Sequence, residues 1–534
     1  MIHFAQRHTP QAVPARTSIL PGTILLSVFL CVAALPGSAS PFEGAPPSAP
    51  AGRIDGIVFG RLAKLGIPPA NLSSDSAFVR RAYLDVIGTL PTAVEARQFI
   101  LSADPGKRGA LIERLLQRDE FADYWALKWS DLLRVKAEFP VNLWPDAAQA
   151  YHHWIRDEIR NDVPYDRFAR ELLTASGSNF RVAPVNFFRA VQPKEPAALA
   201  RAAALTFMGE RAENWPAARL AGMAVFFSQV GYKTTQEWKE EIVYWDPGKA
   251  TQTRAIFPDG TAVQLPPDRD PRQVFADWLV DPGNPWFARN IANRVWFWLM
   301  GRGIIQEPDD IRPGNPPSNP ELLNFLQDRL AESHYDLKGL FRLILNSQAY
   351  QLSCIPHGAS PEAAANFASY PVRRLEAEVL IDAIDSITGT TDSYSSAIPE
   401  PFTYVPVNQR SIALPDGSIT SPFLEAFGRS PRDTGLELER NSRSSPAQEL
   451  HLLNSAHIRQ KIQQGPGLQD ILRSGGGANA IIDRLYLAIL SRFPTAQERS
   501  EALAYAGTAN LRPRDAALDI AWALINSAEF LYRH

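Results

Sequence analysis

The sequence predicts a mainly α fold: two helical domains that share a helix–turn–helix unit, with a small antiparallel β insert between them. Three observations predict it. The segment "RAYLDVIGTLPTAVEARQF", which begins at Arg81, returns as "RLYLAILSRFPTAQERSEA" at Arg484, a constant offset of 403 positions (484 − 81 = 403). Apolar residues between positions 111 and 133 recur at helical spacing. Between positions 232 and 267, short β-rich runs alternate with Asp-Pro-Gly and Pro-Asp-Gly, which are typical of hairpin turns.

The first 40 residues predict a signal peptide. Arg7 and Arg16 supply positive charge, an apolar run follows from Ile24 to Leu35, and "PGSAS" offers small residues for cleavage near Ala39 or Ser40. The apolar run is shorter than the about 20 residues that a membrane span needs; a retained anchor is the alternative. We expect an exported protein, periplasmic or secreted, with no membrane span in the mature chain and a flexible linker over residues 41–52.

Composition and cysteine content narrow the function classes. The 54 basic and 57 acidic residues nearly balance at a net charge of −3, which gives no reason to expect a nucleic acid as partner. Once the signal peptide with Cys31 is removed, Cys354 is the one cysteine left in the sequence. An intramolecular disulfide, a thiolate metal cluster and a covalently attached c-type haem all need more cysteines than that. We therefore predict no cofactor, and a reactive Cys354 is the alternative that stays open.

The mature chain divides into three parts: an N-terminal helical domain over residues 53–230, the β insert over 231–270 and a C-terminal helical domain over 271–534. Capping boxes mark helix starts in both helical parts, because a Ser or Thr oxygen accepts from a first-turn amide while a Glu or Gln three residues later reaches back. The predicted boxes are Thr92/Glu95, Ser318/Glu321, Ser445/Gln448 and Thr495/Glu498. A glutamate held in such a box is a poor general acid, so we interpret the repeat as scaffold.

Two long stretches resemble a known pair of domains. The stretches "FVRRAYLDVIGTLPTAVEARQFI" and "RGALIERLLQRDEFADYWALKWSDLLR" resemble the planctomycete cytochrome-associated domain, the PSCyt-type domain of unknown function fifteen-forty-nine. The stretch from "FADWLVDPGNPWFARNIANRVWFWLMGRG" to "LFRLILNSQAYQLS" resembles its companion, the planctomycete-specific PSD-type domain fifteen-fifty-three, as do "YPVRRLEAEVLIDAI" and "FGRSPRDTGLELERNSRSSPAQELHLLNS". The resemblance covers residues 53–534 in order and implies an exported protein from a family without an established reaction.

The chain departs from that family at two places where relatives often carry cysteines. Many relatives have a Cys-x-x-Cys-His haem-attachment-like motif between the counterparts of "LTFMG" and "AVFFSQVGYK". Here the interval is "ERAENWPAARLAGM", residues 210–223, which has neither cysteine nor histidine. Relatives also often show Cys-x-Cys where this chain has Leu436 and Leu438. The resemblance therefore implies a member that lacks the haem-like motif and the chemistry it supports.

An arginine-rich stretch, "FGRSPRDTGLELERNSRSSPAQELHLLN", supplies the candidate ligand-binding residues. Guanidinium groups donate two hydrogen bonds in one plane, which suits a carboxylate, a sulfate or a phosphate. One interpretation is a pocket for an anion or an acidic glycan. The alternative is an internal salt-bridge lattice that ties this loop to "RRLEAE" at positions 373–378. The candidates are Arg429, Arg432, Arg440, Arg443, His451 and Asn454.

Four carboxylates are candidates for acid–base catalysis: Asp309, Asp310, Glu437 and Glu439. Neighbouring acids can shift each other's pKa, and the first two lie in a Pro/Gly-rich loop, where functional residues are frequent. The alternative is structural, with the two aspartates capping backbone amides or pairing with Arg294 or Arg302. We interpret Trp296 and Trp298 as core rather than as a sugar-stacking platform.

No metal site is predicted. His152 and His153 are adjacent, and adjacent side chains on a helix point about 100° apart. His451 and His457 are six residues apart, again on different helix faces. Neither pair has the three-ligand spacing of a zinc enzyme.

These observations lead to two hypotheses. The first is an exported, non-redox binding or assembly protein that serves extracellular polymer breakdown, with an anionic or glycan ligand or a protein partner. No motif in the chain bears directly on that role. The alternative is a hydrolase that acts on glycans through paired carboxylates. The sequence does not decide whether the protein is an enzyme.

Overall fold

Helices dominate the structure, which confirms the mainly α prediction. The computed structural model describes residues 40–249, 251–358, 360–441, 443–507 and 511–534. Residues 1–39 of the predicted signal peptide, with Cys31, lie outside the described residues. Within the described ranges, no helix has both the length and the apolar character needed to cross a bilayer.

The helices that precede the β insert contribute apolar side chains to the buried core. Leu111, Leu115, Trp125 and Trp129 are all buried, as their spacing predicts. The described helices are α1 (Arg53–Leu65), α2 (Asp75–Ile87), α3 (Ala93–Leu101), α4 (Lys107–Leu116), α5 (Asp119–Leu132), α6 (Pro145–Arg160), α7 (Tyr165–Thr174), α8 (Asn186–Arg189), α9 (Pro196–Ala203) and α10 (Ala217–Ala224).

The β insert contributes to two small antiparallel sheets, one of which also contains a strand from residues 177–178. The described strands of the chain are β1 (Gly177–Ser178), β2 (Val230–Thr234), β3 (Glu241–Trp245), β4 (Arg254–Ile256), β5 (Ala262–Gln264), β6 (Arg373–Arg374) and β7 (Tyr532–Arg533). One sheet has the order β1-β3-β2, and β4 and β5 form the other. The Pro-Asp-Gly turn closes the β4–β5 hairpin, with Gly260 at φ 91°. The Asp-Pro-Gly turn follows β3 and closes no hairpin; the β2–β3 hairpin closes at residues 235–240 instead.

Helices resume after the insert and continue to the last residues. Trp296 is fully buried and Trp298 nearly so, as predicted. The described helices are α11 (Pro271–Val280), α12 (Phe287–Met300), α13 (Pro320–Glu332), α14 (Leu337–Leu345), α15 (Gln348–Gln351), α16 (Pro361–Ala365), α17 (Ala377–Thr388), α18 (Pro422–Ala426), α19 (Pro446–Asn454), α20 (Ala456–Gln464), α21 (Pro466–Arg473), α22 (Gly477–Leu490), α23 (Ala496–Ala506), α24 (Pro513–Ile525) and α25 (Ala528–Leu531).

Capping boxes begin α3, α19 and α23. At each start the N-cap hydroxyl accepts from the backbone amide three residues later. The side chain of that later residue accepts from the N-cap backbone N in return. The expected box at Ser318 is wrong. Asn319 caps α13 instead, with its side-chain oxygen accepting from Leu322 N, because Pro320 occupies the first helical position and fixes the preceding residue as the cap.

The two copies of the repeat lie in one compact unit, residues 41–534. Helix α3 of the first copy packs on α22 of the second. Arg80 of α2 donates to Ile489 O at 2.9 Å and to Phe530 O at 2.8 Å, and β6 pairs with β7. Residues of the predicted linker join this unit: Gly44 N donates to Leu72 O at 2.7 Å. The domain boundaries near residues 230 and 270 stay predictions.

Candidate functional site

The arginine-rich loop between α18 and α19 is folded into the interior. Arg432 Nε donates to Asp131 Oδ1 of α5 at 3.0 Å, and Arg440 donates to the other oxygen of Asp131 at 2.7 Å. Arg440 also donates to Glu378 of α17 at 2.5 Å, and Arg429 Nε lies 3.6 Å from the same carboxyl group. Protein oxygens therefore engage all three guanidinium groups, which tie the loop to α5 and α17.

These contacts are those of the internal lattice that the sequence left open as an alternative. Glu378 belongs to the segment expected to form it, whereas Asp131 was not foreseen. The six predicted ligand-binding residues divide into a buried group and a more exposed one, with Arg443 and Asn454 exposed and His451 half-buried. A ligand-binding role for them stays a prediction.

Burial and neighbouring charges shift the pKa values of these arginines by different balances. Burial lowers the pKa of Arg429 to about 10, and the nearby Arg432 charge acts in the same direction. Burial also acts to lower the pKa of Arg440, but Asp131 and Glu378 outweigh it and hold that pKa well above its usual value. Arg440 is thus the cation that the two buried carboxylates stabilise most clearly.

A second buried charge group joins α5 to Glu376, which immediately precedes α17, and to β7 near the end of the chain. Lys128 of α5 donates to Glu376, and Arg533 of β7 lies 3.7 Å from the same carboxylate. Arg533 also donates to Asp85 of α2 at 3.0 Å. Burial acts to raise the pKa of Glu376, but the charges of Lys128 and Arg533 outweigh it and hold the pKa far below its usual range.

The carboxylates predicted as catalytic are held by the protein itself. Arg294 donates to Asp309 at 2.7 Å and to Glu437 at 3.3 Å. Asp309 accepts a second hydrogen bond from the backbone N of Glu437 at 2.7 Å, and burial raises the pKa of Glu437 against the pull of Arg294. Asp310 pairs with its neighbour Arg312 at 2.8 Å. Glu439 accepts from Thr434 N at 2.7 Å.

The histidines follow two different patterns. His152 is fully buried, and neither ring nitrogen has a hydrogen-bond partner among the described residues. The rings of His451 and His457 approach to 6.0 Å; the expectation of two faces of one helix is wrong, because α19 ends at Asn454 and His457 lies on α20. His457 Nε2 bonds to Asp392 at 2.8 Å. Among the described residues, no group of three or more His, Cys, Asp or Glu is placed to hold a metal ion.

An exposed aromatic cluster lies where three loops meet, and the sequence did not predict it. Trp144 precedes α6, Trp238 lies at the tip of the β2–β3 hairpin, and Phe402 lies in the loop between α17 and α18. The Trp144 ring is 6.4 Å from that of Trp238 and 5.3 Å from that of Phe402. Trp238 is 68% exposed and Phe402 42%. We call these three residues the aromatic cluster.

The backbone at the aromatic cluster is strained. Trp144 has φ 73° and ψ 146°, and Lys239 has φ 63°, a region that side chains avoid at a cost of about 1–3 kcal/mol each. The Lys239 ammonium lies 5.1 Å from the Trp144 ring centre and 5.2 Å from that of Trp238. Glu240 anchors the closing loop of the hairpin by accepting from Ser178 at 2.5 Å. One sequence feature could have predicted the aromatic cluster: a tryptophan in the polar loop "TTQEWKE", where no apolar periodicity requires one.

Comparison with known protein families identifies both helical segments. A model described as PSCyt2, a protein of unknown function (DUF1549), matches residues 53–220. A second, described as PSD1, a protein of unknown function (DUF1553), matches residues 271–506. The chain is a PSCyt2–PSD1 protein. No curated protein and no solved structure matches it.

In this PSCyt2–PSD1 protein the interval at residues 210–223 is built around a carboxylate. Glu210 is buried and accepts from Trp215 Nε1 at 2.6 Å, from Trp286 Nε1 at 2.5 Å and from Arg219 at 2.9 Å. A covalently attached haem needs cysteine sulfurs, and this donor set does not fit it. Burial raises the pKa of the Cys354 thiol, which disfavours the reactive thiolate.

Two clefts of the PSCyt2–PSD1 protein lie apart from the predicted site residues. The larger, of about 480 Å³, is lined by Arg53, Arg329 and Arg342. Each of these arginines pairs with a surface glutamate, at 2.8, 2.8 and 2.6 Å, and exposed pairs of this kind bind weakly. The smaller, of about 40 Å³, is aromatic. Neither cleft is lined by a carboxylate that was predicted as catalytic.

Proposed function

We propose that this PSCyt2–PSD1 protein is an exported, non-redox carbohydrate-binding protein that holds an acidic polysaccharide on the aromatic cluster of Trp144, Trp238 and Phe402. Pyranose rings present flat C–H faces that stack on aromatic rings, and tryptophan carries much of the energy at recognition surfaces. The observation that carries the proposal is the exposure of Trp238 and Phe402 beside the half-buried Trp144, with strained backbone at Trp144 and Lys239. Neither core packing nor the helical scaffold requires it.

Lys239 supports a negatively charged sugar. In the part of the chain that the structure describes, its ammonium pairs with no carboxylate and rests beside two ring faces. A uronate carboxylate or a sugar sulfate could bind this ammonium while the sugar ring stacks on Trp238. The cluster is thereby suited to both the apolar face and the charge of an acidic glycan.

The hydrolase alternative has less support. Glycosidases need two carboxyl groups that face a substrate. Here Arg294 donates to both Asp309 and Glu437, the backbone N of Glu437 also donates to Asp309, and Asp309 is 1% exposed. A binding role therefore agrees better with the geometry.

Affinity electrophoresis of residues 41–534 in gels with polygalacturonate, a sulfated glycan or a neutral glucan tests the proposal. We expect retardation in the acidic gels, and Trp238→Ala should weaken it about tenfold, equivalent to about 1.4 kcal/mol. Lys239→Met should weaken binding to the acidic polymers only. The matched control is Trp522→Ala, since Trp522 is a 37% exposed tryptophan on α24, and it should bind as the parent does. No retardation in any gel, or equal retardation of Trp238→Ala, would refute the proposal.

A further inference from the structure

The smaller cleft is a half-open hollow lined by aromatic rings. Its volume is about 40 Å³, and it lies between α5, the end of α6, α7, α12 and α14. Ring pairs around it include Trp125–Phe341 at 4.5 Å and Trp129–Phe168 at 5.1 Å. Protein interiors leave few voids larger than a water molecule, so rings that surround a space instead of filling it are unusual. Six of the lining rings, all buried, are those of Phe121, Trp125, Trp129, Phe168, Trp298 and Phe341.

Polar groups without partners border the hollow. Glu158 of α6 lines it, and its Oε2 is buried with no hydrogen-bond partner among the described residues. Tyr165 also lines it and is fully buried, and its hydroxyl likewise has no partner there. A buried polar atom without a partner is costly. Among the described residues, no cation bonds to Glu158, which thus offers a free carboxylate.

A native ammonium already rests on one of these rings. Lys338 Nζ lies 5.5 Å from the ring centre of Phe121 and donates to Arg160 O at 3.4 Å. Aromatic faces carry negative potential and attract cations within about 6 Å. The same faces disfavour an anion, and a neutral group would leave Glu158 unpaired.

We propose that this hollow binds a primary ammonium head group carried on an alkyl chain, with the ring faces around the cation and Glu158 as its counter-charge. The volume of about 40 Å³ sets the size of the head group. One water-sized group needs about 10–15 Å³, so about three heavy atoms fit and the rest of the chain leaves through the mouth. The site shares no residue with the aromatic cluster and does not depend on the glycan proposal.

The ionisation of Glu158 gives the site a pH dependence. Burial, and then the charge of Glu171, raise the pKa of Glu158 to about 7. A bound ammonium favours the ionised carboxylate, so binding releases a proton and tightens as the pH rises through 7. The charged groups that face Glu158 are Arg167 and Glu171 of α7, Asp157 of α6, and Asp162 and Lys338 at the rim of the hollow.

Tryptophan fluorescence of residues 41–534 reports directly on ligand binding in the hollow, because three tryptophans line it. The probe is n-butylammonium, with n-butanol as a neutral analogue and butyrate as an anionic one. We expect butylammonium to change the emission and to bind about tenfold more tightly at pH 8 than at pH 6, from the ionised fraction of a group with a pKa of about 7. Butanol should bind at least about tenfold more weakly, without pH dependence, and butyrate should not bind.

Two variants test whether Glu158 contributes to binding or whether the hollow binds butylammonium through its apolar surface alone. Glu158→Gln should remove both the preference over butanol and the pH dependence, and Glu171→Gln should move the midpoint of the pH profile to lower pH. Glu362→Gln, at an exposed position on α16, is the control and should behave as the parent. The proposal is overturned if butanol binds as tightly as butylammonium, if Glu158→Gln binds unchanged, or if roughly 100 mM butylammonium, a hundred times a millimolar Kd, has no effect on the folded protein.

Discussion

Asp85 shows how single residues keep charge inside this protein. Its carboxylate accepts from Arg533 at 3.0 Å, Arg373 at 3.2 Å, Tyr350 at 3.0 Å and Tyr370 at 2.8 Å. A buried charge that loses its partner typically costs 3–5 kcal/mol. The carboxylates of Asp131, Glu376 and Glu378 likewise have cations beside them, so these charges stabilise the fold as groups and not as isolated pairs.

The stability of the fold should fall in acid through Glu376. Its folded-state pKa lies far below the unfolded value of 4.5, so its contribution is present above about pH 4.5 and is lost as the pH falls below it. Urea unfolding of residues 41–534 between pH 3 and pH 6 should therefore show a steep loss below pH 4.5.

Two substitutions assign that loss to the residue. Glu376→Gln should be less stable than the parent at pH 6 and lose less stability between pH 5 and pH 3. Glu362→Gln should keep the parent slope. An unchanged slope in Glu376→Gln would contradict the assignment.

The sequence predicts only some of the residues that form these interior contacts. Sequence reasoning found the arginine-rich loop and Glu378 because both lie in distinctive polar stretches. It missed Asp131, which sits 301 positions from Arg432, since a single sequence does not reveal which distant polar residues meet. It missed Trp238 because the apolar pattern was used to find the core, and an exposed aromatic residue belongs to no such pattern.

At the scale of elements, helix caps were the feature best predicted from the sequence. The Thr92 and Thr495 boxes form where the sequence placed them, because capping is local and involves four neighbouring residues. The start of α13 was misplaced by one residue, although Pro320 at the first helical position would have corrected it. The β2–β3 hairpin closes without the Gly-containing turn that the prediction relied on.

The cap of α23 should contribute measurably to stability. Thr495 Oγ1 accepts from Glu498 N at 3.2 Å, and loss of such a cap typically costs about 1 kcal/mol. Thr495→Ala should lower the free energy of unfolding by about that amount in urea titrations. Thr495→Ser keeps the accepting oxygen and should remain within about 0.5 kcal/mol of the parent. Equal losses in both variants would show that the methyl group, and not the cap, is responsible.

At the scale of the whole molecule, the two family segments share one set of interior charges. Asp85 lies in the PSCyt2 segment, whereas its four partners come from residues 350–533. The order of the segments was readable from the sequence, because long local stretches carry it. Their dependence on each other was not, because it is made by contacts between distant positions.

That dependence predicts the behaviour of a fragment. Residues 41–270 alone leave Asp85 buried without Arg373 and Arg533, and should give no sharp unfolding transition. Urea unfolding followed by circular dichroism should show a gradual change for the fragment, while residues 41–534 under the same conditions should unfold in one sharp transition. A cooperative transition in the isolated fragment would show that the PSCyt2 segment folds independently.

The pairing of Asp85 with Arg533 also imposes a delay during synthesis of the chain. The two residues are 448 positions apart, and ribosomes add roughly 5–20 residues per second, so the carboxylate is made roughly 20–90 s before its arginine. During that interval Asp85 lacks this partner. Any process that handles an extended polypeptide, such as threading through a narrow membrane channel, has this window in which to capture it.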